Sequence, residues 1–580
     1  ELDAVQKRLR EVPGVSVLIY DQTCATEKRR RRKRGKMEDP QKRIFINSLV
    51  CEGCGDCGEK SFCVSVLPKE TEYGRKREID QSNCNKDYSC VKGFCPSFVT
   101  VHGGALKKRK GGAGNVDFGA LPPPVVATNL AEPWNILVTG IGGTGVVTIG
   151  ALIGMAAHLE GKGATVLDQT GLAQKGGAVT CHLRIARTPN EIHAVRIAAG
   201  EADLVLGCDM VVVNDYWALS KIRAGRAHVV LNTYEAMPGT FTMKPDLAFP
   251  AKQIVDAVTF ALDGEKPELV DATDLATKLL GDSIASNLFM LGYAWQKGWV
   301  PLSLDALMRA VELNAAAVEM NKTAFNWGRM AAHDIDIVRA AAGAVPFRAS
   351  SNADPLDDTA ISATLDEEIA RRVAFLTDYQ SAAYASRYKA LVDKVRAAEQ
   401  QKSPGFTSLT KAVARYAFKL MAYKDEYEVA RLYTSGEFEK RIRETFDGDF
   451  KLHFNLAPPL FARKDEDGHL RKAEYGRWVF GAFKLLAKLK GLRGTALDVF
   501  GYTAERRGER RLIEEYFDTI GMLLAALDHD NHALAVEIAS IPEHVRGYGH
   551  VKERHLAAAM TRQVQLLQAW RQPQLRGEAA

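Results

Sequence analysis

Outside residues 51–95 the chain has three cysteines, Cys24, Cys181 and Cys208, too few for a disulfide scaffold. Charge of one sign is also lacking. With 77 basic and 71 acidic residues the net charge is +6, mild for 580 residues, which argues against a chain-wide nucleic-acid footprint. The N-terminus, ELDAVQKRLREVPG, has no apolar signal-peptide core and no initiator Met, so the chain is expected to be processed or a piece of a longer one. Hydrophobic residues at 46% and charged residues at 26% are ordinary for a globular protein and exclude a mostly disordered or collagen-like chain. The length suggests roughly four domains. No convincing internal repeat is found along the sequence. One uncharged run, residues 136–157, is long enough to span a membrane. Its glycines sit at the spacing of a strand–turn–helix, so a buried strand and helix are expected and a membrane span is not.

Residues 2–11 read as an amphipathic helix ended by Pro13-Gly14, and VSVLIYD (15–21) as a buried strand. This resembles the tail of an α/β unit whose main part lies upstream. KRRRRKRGK (28–36) holds eight basic residues in nine. It is read first as a solvated loop or linker, second as a patch meeting acidic groups of a cofactor or subunit, and last as a nucleic-acid signal. Residues 103–124 form a Gly/Pro/Lys linker. From Trp134 strands and helices alternate, with strands expected at 136–140, 164–168, 178–186, 202–207 and 228–233, in an open and largely parallel sheet. After Pro346 the pattern is mostly helical, broken by a strand and turn at 451–461.

The cysteine clump carries the chemistry. Cys51, Cys54 and Cys57 stand at C-x2-C-x2-C, and Cys95 precedes Pro96. Three closely spaced thiolates wrap one corner of a cuboidal cluster, and a distant Cys-Pro supplies the fourth ligand, which assigns these four residues to one [4Fe–4S] cluster. Gly53, Gly55 and Gly58 let the backbone approach its sulfides. Cys63, Cys84 and Cys90 are three ligands of a second cluster whose spacing departs from the ferredoxin pattern. That cluster needs a non-Cys ligand, holds three irons, or is absent. Structural zinc is the competing reading, but it wants two CxxC pairs and there is one triple. Cys181 and Cys208 lie in apolar strands and read as core.

Gly140, Gly142, Gly143 and Gly145 follow a strand and open a helix, the dinucleotide fingerprint in its context. Asp168 lies about 23 residues on, where a ribose-binding carboxylate would stand. A second motif, with Gly171, Lys175, Gly176 and Gly177, begins just beyond and offers another anion site. Tight strand–helix packing is the alternative for both.

The order CEGCGDC, CNKDYSC, GFCP, NILVTGIGGTGVVTIG and DQTGLAQKGGAVTCHLRIA resembles the C-terminal half of the fused indolepyruvate ferredoxin oxidoreductase family, among the thiamine-diphosphate-dependent 2-oxoacid oxidoreductases. The resemblance implies a multidomain α/β and α fold. Residues 1–40 would end a thiamine-diphosphate-binding domain, 41–102 would be a ferredoxin-like iron–sulfur insert and 103–132 a linker. Residues 133–345 would form an open α/β gamma-type domain, and 346–580 a mostly helical C-terminal domain, as in LTDYQSAAYASRYKALV (376–392).

The resemblance implies oxidative decarboxylation of an aryl pyruvate such as indolepyruvate to acyl-CoA and CO2. Electrons would leave through [4Fe–4S] to ferredoxin. Coenzyme A is the co-substrate, with Gly140, Gly142, Gly143, Gly145, Lys175, Gly176 and Gly177 holding part of it. No Gly-Asp-Gly occurs in the sequence. Thiamine diphosphate and Mg2+ would therefore be bound mainly by an upstream portion outside this chain. A cytoplasmic homo-oligomer without nucleic acid is expected, and no individual catalytic acid or base is assigned. The alternatives are an NAD(P)- or flavin-linked iron–sulfur oxidoreductase subunit and a non-enzymatic iron–sulfur scaffold or nucleic-acid-binding module.

Overall fold

The computed structural model describes residues 2–107, 118–126, 130–171, 177–343, 354–458, 462–464 and 468–572. Leu2–Arg10 is the expected helix, with Asp3 in its first turn and Lys7, Arg8 and Arg10 in its last, charges that suit the helix dipole. The apolar run after it differs from expectation. Residues 15–20 belong to no strand among the described residues, and Val15 and Ile19 are 97% and 85% exposed. A lone segment has no neighbour to satisfy its N–H and C=O groups, so apolar sequence alone does not make a strand.

The cysteine segment is framed by four strands: β1 (Lys42–Ile46), β2 (Val66–Lys69), β3 (Lys76–Ile79) and β4 (Phe98–Leu106). β1 pairs antiparallel with β4, and β2 with β3. Alternation along β4 decides what it separates. Phe98 packs with Ile44, Ile46, Cys51, Cys57 and Cys90, while Val99 and Val101 join the core of the C-terminal helices. Successive side chains of a strand point to opposite faces, so one strand serves both cores. β4 runs on to Leu106, into the stretch expected to be linker.

The second sheet comprises β5 (Trp134–Ile141), β6 (Gly163–Thr170), β7 (Ala178–Ala186), β8 (Leu204–Gly207), β9 (His228–Asn232) and β10 (Glu268–Val270). Its order is β10-β9-β8-β5-β7-β6. The four strands from β10 to β5 are parallel, but β7 is antiparallel to both β5 and β6. The sheet is therefore mixed, because the short β6–β7 connection makes a hairpin in place of a crossover helix. Both faces are covered. Ile136 and Val138 belong to one core, and Leu137 to the other. On the first face, helices Ser286–Gln296 and Val318–His333 cross at two glycines.

The C-terminal region is mostly helical, beginning with Leu365–Tyr379, which Thr364 and Glu367 close with a capping box. It also returns to the first sheet. β11 (Phe446–Leu456) pairs with β4, and β12 (Ala473–Tyr475) with β11, giving the order β1-β4-β11-β12. A bulge between Asp447 and Phe450 faces Gly103 and Gly104, both at positive φ. The cysteine segment and the last third of the chain thus share one sheet, and Leu49, Val50, Val99 and Val101 join the core of the C-terminal helices. The loop 245–247 of the second sheet docks on this unit. Arg77 Nη2 donates to Pro245 O at 2.9 Å, Arg75 Nη1 to Leu247 O at 2.9 Å, and Arg546 pairs with Asp246. Among the described residues no helix is long and apolar enough to cross a membrane.

Candidate metal centre and glycine loop

After β1 the chain turns twice through left-handed glycines, Gly53 (φ +68°) and Gly55 (φ +83°), before the helix Asp56–Ser61. The space is closed as well as the dihedral. A Cβ on Gly53 would sit 2.2 Å from Arg75 O, and one on Gly55 2.5 Å from Pro245 Cβ. The loop carries Cys51, Cys54 and Cys57, and the Gly53 N–H donates to Cys51 Sγ at 3.3 Å. Cys95 arrives on the segment just before β4. The Phe94 N–H bonds Asp56 Oδ2 at 2.7 Å, and Cys95 Sγ lies 3.0 Å from Ser97 Oγ. The four cysteines line one pocket walled by Ile46 and Phe98.

Burial pushes the Cys54, Cys57 and Cys95 thiols up, and the charges of their neighbouring cysteines add to the rise at each. Buried thiols whose ionisation is hindered in this way suit a cationic centre, since coordination deprotonates a thiol outright. Only His102, His453 and Glu474, among the described residues, bring three ligand atoms within 4.8 Å of one another. Zinc–sulfur bonds of about 2.3 Å in a tetrahedron need sulfurs roughly 3.8 Å apart. Among the described residues no three cysteine sulfurs come within 4.8 Å of one another.

Cys63, Cys84 and Cys90 form a second group. Burial pushes Cys90 up to about 12, followed by the charges of Cys63 and Cys84. Burial also raises Cys84, while the Lys86 N–H, 3.4 Å from its sulfur, acts in the opposite sense. The basic run, expected first as a solvated loop, folds as the helix Ala25–Lys33 and covers this loop. Arg29 donates to Asn83 Oδ1 at 2.7 Å, and Arg32 to Asn85 O at 2.7 Å.

Other charges around the centre have no local sequence signal. Arg77 lines the first pocket, buried within reach of the charges of Cys51, Cys54 and Cys57. Lys472 reaches it from the C-terminal region. Burial would raise the Glu52 carboxyl, but Lys424, at 2.5 Å, and Lys76 hold it down to about 2.

The glycine loop forms the expected strand–turn–helix. β5 ends at Ile141, Gly143 (φ +87°) and Gly145 (φ +98°) turn the chain, and the helix Val146–Leu159 begins. The Gly142 N–H donates to Gly177 O at 2.8 Å, so the second glycine motif closes on the first. Lys175 and Gly176 lie outside the described residues. Asp168 does not stand where a ribose carboxylate would. It is in register with Cys181, which is in register with Val138 in the middle of β5. Two strand spacings, roughly 9.6 Å, separate it from β5, because β7 lies between. Cys181 is fully buried in the core, and Cys208, beyond the end of β8, is partly exposed and packs against the same core.

Residues 135–331 match the family Pyruvate ferredoxin/flavodoxin oxidoreductase, and residues 365–565 match a family of unknown function. Over 197 residues the chain is 29% identical to the indolepyruvate oxidoreductase subunit IorB of Methanothermobacter thermautotrophicus, covering 34% of this chain and 95% of that protein. The subunit of the same name from Pyrococcus horikoshii is 25% identical over 206 residues, covering 35% of this chain and 98% of its own length. A crystal structure of a pyruvate oxidoreductase subunit from Thermotoga maritima aligns at 20% identity with a TM-score of 0.26, covering 34% of this chain and 96% of that one.

Proposed function

From the chain's membership of the indolepyruvate ferredoxin oxidoreductase family, we propose that it is the electron-relay portion of an enzyme that oxidises aryl pyruvates, indolepyruvate among them, to acyl-CoA and CO2. The observation that carries this reading is the convergence of Cys51, Cys54, Cys57 and Cys95 on one pocket, docked through Arg77 on the loop 245–247 of the family-matched segment. Residues 41–102 would act as a ferredoxin-like insert and 133–345 as the gamma-type domain. A [4Fe–4S] cluster held by the four cysteines supplies single-electron transfer at low potential, which ferredoxin as acceptor requires. Ile46 and Phe98 exclude water, and Arg77 and Lys472 place positive charge beside the thiolates.

The glycine turn 140–145, with Gly177 facing it, would hold part of coenzyme A. Equilibrium binding to a Gly142→Ala/Gly177→Ala double variant tests that placement, and unchanged affinity would remove it. Thiamine diphosphate and Mg2+ are assigned to a portion outside this sequence, which contains no Gly-Asp-Gly, so no thiamine step is routed through these residues. The deciding measurement is iron and acid-labile sulfide per chain, with an EPR spectrum after reduction. Zinc in place of iron in anaerobically purified protein would overturn the proposal.

A further inference from the structure

The two cysteine loops repeat one backbone at an offset of 33 residues. Cys51 corresponds to Cys84, and Cys57 to Cys90. In the first loop the residue two past Cys51, Gly53, has φ +68° and donates its N–H to Cys51 Sγ at 3.3 Å. In the second, the residue two past Cys84, Lys86, has φ +54° and donates to Cys84 Sγ at 3.4 Å. Four past each first cysteine, Gly55 and Tyr88 have φ +83° and +63°, and each caps a helical turn, Asp56–Ser61 and Ser89–Lys92. Lysine and tyrosine rarely adopt left-handed backbone, so the second loop is held in a shape its own residues do not prefer.

Under this correspondence the position of Cys54 is occupied by Asp87. Each turn is followed by one more cysteine, Cys63 after the first and Cys95 after the second. Cys95 serves the first loop's pocket. Cys63 is the matching residue for the second loop, and it packs against the cluster of buried residues that contains Cys90. The Asp87 Oδ1 accepts from the Ser89 N–H at 3.3 Å, at the start of the turn that carries Cys90. The three-cysteine group therefore has one acidic side chain at the vacant corner of its own turn.

We propose that Asp87 is the fourth ligand of a second cubane cluster, with Cys63, Cys84 and Cys90 as its thiolate ligands. This rests on the iron–sulfur reading of the first pocket and deepens it. A carboxylate oxygen is a harder ligand than a thiolate and holds one iron differently from the other three. That iron is the one an oxidant removes. The balanced step is [4Fe–4S]2+ giving [3Fe–4S]+, Fe2+ and one electron, the electron passing to ferricyanide.

The test uses the full chain reconstituted anaerobically with iron and sulfide. Wild type is expected to hold about eight irons, four per cubane. On ferricyanide treatment it loses about one and gains the EPR signal of an oxidised three-iron cluster. Asp87→Cys keeps that iron under the same treatment, and Asp87→Ala holds about seven irons before any oxidant is added. About four irons per chain in wild type would overturn this inference and leave the first cluster standing. Iron absent altogether would overturn both. Wild type and Asp87→Cys indistinguishable in iron loss and spectrum would overturn the role of Asp87 alone.

Discussion

The ammonium of Lys472 lies 3.3 Å from the carbonyl oxygen of Cys95. It also donates to Gly93 O and stands 4.8 Å from the ring centre of Phe98. A cation from the last third of the chain is thereby placed against the first cysteine pocket. Burial lowers its pKa, while the charges of Cys95 and Cys57 favour the ammonium.

Neutralising this cation should make the cluster proposed for the first pocket harder to reduce. Lys472→Met is expected to lower its reduction potential by about 60 mV, a tenfold change in the equilibrium for one electron. Lys472→Arg should stay close to wild type. An EPR-monitored redox titration reads the shift, and an unchanged potential in Lys472→Met would discard the electrostatic role.

Two glycines let the helices of the second sheet's first face meet. A Cβ on Gly292 would lie 2.0 Å from Phe325 O, and one on Gly328 1.9 Å from Phe289 O. Either Gly→Ala substitution must force the helices apart. The expected loss is about 1–3 kcal/mol or more, as for other overpacked cores. Thermal unfolding of Gly328→Ala measures it, and a melting temperature equal to wild type would contradict the crossing.

In the helical region Arg493 is bidentate to Asp425, with Nε to Oδ2 at 2.6 Å and Nη2 to Oδ1 at 2.9 Å. Its Nη1 also donates to Tyr379 O at 2.7 Å. Both partners are buried. Arg493→Met leaves a buried carboxylate alone, which costs about 3–5 kcal/mol. Replacing Asp425 by Asn in the same background should recover part of that loss in a denaturant titration. No recovery would mean the pair's charge is not what matters.

Lys419 gives a pH dependence. Burial lowers its ammonium to about 7, although the charge of Glu543 opposes the shift. Below about 7 both folded and unfolded chains hold the proton, so the full cost of the buried charge is felt. Between about 7 and the ordinary 10.5 the unfolded chain binds more protons, and folded stability rises with pH. Lys419→Met removes the dependence. Relative to that variant, wild type should gain stability between about pH 6 and about pH 9. A pH-independent difference in denaturation midpoints would refute the assignment.

Features that depend on near neighbours are legible in the sequence. The spacing of Cys51, Cys54 and Cys57 is a property of one short turn, and the strand, turn and helix around Gly140–Gly145 follow from dihedral freedom and apolar periodicity over some twenty residues. The fingerprint misplaces Asp168 because it describes a distance along the chain. Whether β6 lies beside β5 depends on pairing, and the β6–β7 hairpin puts β7 between them. The run 15–20 fails as a strand for a related reason: ladder hydrogen bonds need a partner that apolar content does not supply.

By itself, then, the amino-acid order determined which thiols can share a corner and where the chain must turn, since both follow from near neighbours and steric limits on φ. Tertiary structure decided which charges face those thiols. Arg77, Lys472 and the basic helix Ala25–Lys33 reach the two cysteine loops from segments with no common pattern. β11 and β12 complete the sheet begun by β1 and β4 from more than 300 residues away. Contacts of that kind come from burying one shared apolar core, a property of the whole chain that no short window carries.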